Sequence, residues 1–91
     1  MHWDGIEYWD PKSGKGAVLA FRGSANDVPE RRFILAGLDS SKRYRLHFED
    51  GSSLDRLATG AELMSAGVNV HLALPLSSEL VFIQSAERPA R

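Results

Sequence analysis

The chain reads as a small all-β domain, an antiparallel β-sandwich with one short helical turn at about residues 60–66. Three observations predict this class. Apolar runs of strand length recur along the sequence: Ile6–Trp9, Ala17–Phe21, Phe33–Ala36, Tyr44–Phe48, Val68–Leu74 and Leu80–Ile83. Gly, Pro, Asp or Ser clusters separate most of them. Helix-type capping chemistry stands at a single insert, Gly60-Ala61-Glu62-Leu63-Met64-Ser65-Ala66-Gly67.

Trp3–Trp9 opens the domain as a strand, with Ile6 and Tyr8 on one face and Glu7 and Trp9 on the other. Asp10 to Gly16 supplies a proline with a preset φ and two glycines that tolerate positive φ, which predicts a hairpin loop. Ala17–Phe21 is apolar without alternation, the pattern of a central strand covered on both faces. A polar loop follows, from Gly23 to Pro29, and Pro29 cannot donate to a ladder. Arg32–Ala36 is the next strand, stopped by Gly37, and Asp39-Ser40-Ser41-Lys42 turns the chain.

Tyr44, Leu46 and Phe48 then alternate with Arg45, His47 and Glu49, the clearest period-two stretch in the chain. Asp50-Gly51 is a hairpin signal, and its return arm, Ser53–Leu57, is a short edge strand. Thr59 is an N-cap, completed three residues on by Glu62, and Gly67 is a C-terminal stop. Val68, Val70, Leu72 and Leu74 alternate up to Pro75, and Leu80–Ile83 is the last strand. The predicted core is Leu19, Phe21, Phe33, Leu35, Tyr44, Leu46, Phe48, Val70, Leu72, Leu80 and Phe82. Residues 3–85 make one domain and residues 86–91 a frayed tail.

Ninety-one residues support one core with little to spare. Eleven basic against twelve acidic side chains leave no basic surplus for a nucleic-acid partner. With no cysteine, disulfide frameworks, thiol catalysis and cysteine–zinc sites are excluded, and a cytoplasmic location is expected. The longest unbroken apolar run is far too short for the ~20 residues of a spanning helix, so no membrane partner is expected. Met1-His2 leads directly into strand pattern, as if cut from something longer.

Catalytic chemistry finds little foothold. Lys12-Ser13-Gly14-Lys15-Gly16 lacks phosphate-loop spacing and precedes a strand, which favours a hairpin. His47 and His71 lie on polar sides of predicted strands and could be neighbours across a sheet, but without metal-ligand spacing. Asp4, Glu7 and Asp10, and likewise Glu49, Asp50 and Asp55, cluster as a carboxylate pair for glycoside hydrolysis would. Both sets are readily explained as turn formers and solvated faces, which is the favoured reading. Trp3, Tyr8 and Trp9 are the candidate binding residues. Exposed rings on a β face can stack on a sugar, although the same rings can pack in the core or on a neighbouring domain.

Five segments in order resemble the C-terminal β domain of family 36 α-galactosidases. They are Trp3–Asp10, Gly14–Arg22, Leu35–Asp39 with Tyr44-Arg45, Thr59–Gly67 and Ser77–Phe82. The resemblance runs from about Trp3 to Ile83. It implies a non-catalytic accessory domain that packs on a (β/α)8 barrel, and a parent that is a retaining α-galactosidase acting on galactosides. Such a barrel needs on the order of 250 residues, more than this sequence holds. No catalytic motif of the family maps onto any position here, so the resemblance implies no catalytic residue, metal or cofactor in this chain. It also implies an apolar patch left where the barrel sat, expected around Trp3, Tyr8 or Trp9 and the Leu63-Met64 turn, through which the free chain could self-associate.

Overall fold

The computed structural model describes residues 3–24 and 28–86. Its elements run β1 (Asp4–Asp10), β2 (Lys15–Phe21), β3 (Glu30–Phe33), β4 (Arg43–Phe48), β5 (Arg56–Thr59), α1 (Gly60–Ser65), β6 (Val68–His71) and β7 (Ser78–Ser85). One antiparallel sheet of five strands has the order β1-β2-β7-β4-β5. β3 and β6 form a second, two-stranded sheet. The fold is thus the all-β sandwich that the sequence predicts. Among the described residues no helix is long and apolar enough to cross a membrane.

β4 sets the phase of the larger sheet. Its alternation sends Tyr44, Leu46 and Phe48 inward and leaves Arg43, Arg45 and His47 in solvent. Directly paired residues share a face. Leu46 pairs with Ile83, Phe48 with Val81, and Val81 with Val18, so the inward set continues through β7 into β2. Val68 and Val70 of the small sheet close over these side chains, with Leu63 of α1 and Leu35, Leu38 and Leu72 from the connections.

This phase corrects part of the predicted core. Leu19 and Phe82 point out of the sandwich, 43% and 42% exposed, and Phe21 and Leu80 are half-buried. Val18, Ala20, Val81 and Ile83 take the interior positions instead. A run without alternation carries no phase of its own, and a one-residue slip exchanges its faces. The expectation that Ala17–Phe21 is covered on both faces fails for the same reason: β2 is central in its sheet, yet only one side of it is roofed.

Two strands begin elsewhere than expected. β3 ends at Phe33, and the Leu35 amide donates instead to the Leu63 carbonyl at 3.0 Å, tying the following segment to α1. The return arm after Asp50-Gly51 pairs with β4 only from Arg56, one residue before the predicted arm ends, and β5 is an edge as expected. The predicted tail beyond Ala86, and Ala25, Asn26 and Asp27 of the predicted loop, lie outside the described residues.

α1 forms through the predicted caps. The Glu62 amide donates to Thr59 Oγ1 at 3.1 Å while Glu62 Oε1 accepts from the Thr59 amide at 3.0 Å, a reciprocal capping box. Gly67, at φ 80°, ends the helix in a conformation that costs a side chain steric energy.

At the start of β4 the Tyr44 hydroxyl accepts from the Asp39 amide, five residues upstream, at 2.9 Å. This is the corner device of many β-sandwiches. Tyr44 is buried, so Tyr44→Phe leaves that amide without its partner while keeping the ring packed. A loss of about 1 kcal/mol is expected, measured by urea denaturation. An unchanged midpoint would show that the bond is not stabilising.

Candidate functional site

The unroofed side of the five-stranded sheet carries two apolar rows. Ile6, Leu19 and Leu80 are successive cross-strand partners in β1, β2 and β7. Tyr8, Ala17, Phe82 and His47 form the second row, which extends into β4. Ile6 is 66% exposed and Tyr8 65%, the largest values in the rows. An antiparallel sheet facing water on one side normally shows polar residues there. β4 obeys that rule; β1, β2 and β7 break it. Tyr8, Ala17 and Phe82, with Lys15 and Asp10 at one end, also line a shallow groove of about 340 Å³.

His47 closes the second row. Its ring lies nearly parallel to Phe82, with centroids 6.3 Å apart and planes at 14°. Nδ1 is 2.7 Å from Asp55 Oδ1, and Nε2 is 3.0 Å from Glu49 Oε2. The hydrogen bond to Asp55, then that to Glu49, raises the His47 pKa above its usual value against a smaller opposing effect of desolvation. The face is therefore apolar in its middle, with a charged cluster at the β4 border.

The predicted binding residues do not stand together. Tyr8 is on the open face, whereas Trp3 and Trp9 turn toward the other side of β1 and pack against the core. Trp3 sits 6.1 Å from the Phe33 ring at a 60° tilt, and its Nε1 donates to the Val28 carbonyl at 2.7 Å. Trp9 meets Tyr44 edge-on, with centroids 5.3 Å apart. Three rings on two faces of one strand cannot make a single flat platform. The patch expected at Trp3, Trp9 and the Leu63-Met64 turn is likewise displaced, since Leu63 is fully buried and Met64 half-buried. Of the residues named for that patch, only Tyr8 belongs to the open face.

His47 and His71 lie in different sheets, His71 3.3 Å from Glu30 Oε1 on the neighbouring β3. Among the described residues no group of three His, Asp or Glu side chains is placed to hold a metal. Many carboxylates serve backbone amides. Asp10 accepts from Lys12, and Glu7 from Ala36. The Ser41 hydroxyl, then the Ser41 amide, holds the Asp39 pKa below its usual value. Glu62 is held low by the Thr59 amide and then the Thr59 hydroxyl.

The family model of the glycosyl hydrolase family 36 C-terminal domain matches residues 3–83. The chain belongs to that family. A solved structure described as the galactosidase domain of alpha-galactosidase-sucrose kinase, AgaSK, is similar to it with a TM-score of 0.72 at 18% sequence identity. The match covers 93% of this chain and 11% of that one, so the family 36 domain described here spans about a ninth of the structure it matches. None of the curated proteins matches the chain in sequence.

Ile6, Leu19, Leu80 and Phe82 of this family 36 domain were not legible as a surface. The available signal was negative: β1, β2 and β7 lack the polar alternate positions that β4 shows. For Ala17–Phe21, apolar character on both faces predicts burial on both.

Proposed function

We propose that this chain is the non-catalytic C-terminal accessory domain of an α-galactosidase-like glycoside hydrolase. It docks the open face of its five-stranded sheet on the parent's catalytic barrel and holds that barrel rigid. The observation that carries this reading is the pair of apolar rows centred on Leu19 and Phe82, side by side on the open face of the five-stranded sheet. Contiguous apolar surface of this kind marks an interaction site. A family match to a C-terminal domain and a structural match to a small part of a longer chain support the reading that a covering partner belongs to the same polypeptide. Hydrolysis of an α-galactoside, with retention, belongs to the barrel under this reading, and the domain contributes stability rather than reacting groups.

Phe82→Glu tests it in two settings. Phe82 lies on the sheet surface, so the isolated 91-residue chain should keep its stability to within about 0.5 kcal/mol. In the full-length enzyme the same change places an unpaired carboxylate against an apolar partner, and the melting temperature should fall by several degrees. Equal, small effects in both settings would remove the docking role of this face.

A further inference from the structure

We propose that His47, Glu49 and Asp55 form a proton-gated latch at the border of this face, fastening the catalytic barrel most firmly when the imidazole is protonated. The proposal rests on the docking reading above and deepens it.

Its basis is geometric. Both ring nitrogens of His47 face carboxylate oxygens at hydrogen-bond distance, Asp55 Oδ1 at 2.7 Å and Glu49 Oε2 at 3.0 Å. A neutral imidazole has one N–H and one lone pair, so it can satisfy only one of them; the imidazolium donates to both. The ring's plane is coupled to Phe82, on which it stacks, and Phe82 lies in the apolar row. Loss of the proton sets a lone pair against a carboxylate, and either the ring or an acid must move. The rearrangement therefore occurs at the edge of the surface that the barrel would cover.

Charge gives the direction. The protonated trio carries a net charge of about −1 and the deprotonated trio about −2, by simple count of the ionised groups. All three side chains are about half exposed, so a covering partner removes them from water. Desolvating the more highly charged form is the less favourable. Docking and proton uptake are thus linked, and the linkage is reciprocal.

Among the described residues, the other charges facing His47 are those of two arginines. Arg45 precedes it on the same face of β4, and Arg56 comes from β5 beside Asp55. A guanidinium is a permanent cation in proteins. β7 offers Leu80, Phe82 and Gln84, which carry no titrating group. In the free chain the raised His47 pKa means that the trio's contribution to stability is complete below the ordinary value of 6.5 and is lost as pH rises through the raised one.

The test reads Tyr8 and Phe82 by hydroxyl-radical labelling of the full-length enzyme between about pH 5.5 and 8.5, where histidine titrates. Labelling of both rings should rise severalfold through that interval in the wild type. It should be nearly flat with pH in H47Q, and the transition should move down in D55N and in E49Q. An NMR titration of the free chain should find both His47 ring nitrogens protonated at pH values where an ordinary histidine is half neutral. Rings protected to the same degree at every pH would overturn the latch and leave the docking face standing. Rings unprotected at every pH would overturn the docking reading itself. A neutral His47 ring in the NMR titration would overturn the latch independently of any partner.

Discussion

Replacing Glu79 with alanine should destabilise the isolated domain by about 3 kcal/mol, through the loss of a buried acceptor shared by several amides. Glu79 is fully buried near the start of β7, on the inner side of the sheet. Its Oε1 accepts from the amides of Asp50 at 2.8 Å and Leu80 at 2.9 Å, and its Oε2 from the amide of Ser52 at 2.9 Å. The carboxylate therefore holds the Asp50-Gly51 turn onto the neighbouring strand. Burial pushes its pKa up, but the nearby Ser52 side chain and the bonds from the amides of Asp50, Ser52 and Leu80 outweigh burial and hold it below the usual value. With the folded value depressed, this stabilisation is complete above the ordinary glutamate value of 4.5 and disappears as pH falls through the lower, folded value. Glu79→Gln keeps one acceptor oxygen and should cost about half as much. Urea titrations of both variants at neutral and acid pH check this, and a wild-type stability flat through the acid range would contradict it.

Gly60→Ala should cost about 2 kcal/mol net, although alanine is the better helix former. Gly60 opens α1 against the turn before β4. Its amide donates to the Lys42 carbonyl at 2.8 Å, and that of Ala61 to Ser40 at 3.2 Å. A Cβ at this position would fall within the contact radius of the Asp39 carbonyl oxygen, which is backbone and cannot swing aside. The gain in helix propensity is about 1 kcal/mol, whereas overpacking against fixed backbone costs about 3 kcal/mol. The clash wins. Ala61→Gly, on the exposed side of the same turn, should lose only the propensity difference of about 1 kcal/mol. Denaturation midpoints of the two variants decide the matter, and a stabilised Gly60→Ala would show that the two turns are free to separate.

The legibility of this fold follows its chemistry. Turn residues and period-two alternation carry local information, so β4, the capping box at Thr59–Glu62 and the stop at Gly67 could be placed from sequence. The pairing of β3 with β6 could not, because it joins segments nearly forty residues apart without a local signal. Phase was lost wherever alternation was lost. Leu19 and Phe82 are apolar and lie in strands, but their direction is inherited from β4 through the pairs Phe48–Val81 and Val81–Val18. That inheritance exists only once strand order is known.

The open face was hidden for the same reason. Apolar residues on both sides of β2 are compatible with a partner from the same domain or from another one, and composition does not distinguish them. Trp3 and Trp9 are large rings of the kind that bind sugars, yet here they pack on Phe33 and Tyr44. Ile6 and Tyr8, the alternate residues of the same strand, are the ones that face outward.

The most direct measurement is a structure of this domain within its full-length polypeptide, in which the surroundings of Ile6, Tyr8, Leu19 and Phe82 can be read. The expected result is burial of all four against the proposed barrel, in an interface of about 600–1,500 Å² typical of domains in one chain. A barrel seated on the β3–β6 sheet, with these four side chains still in water, would contradict the central claim.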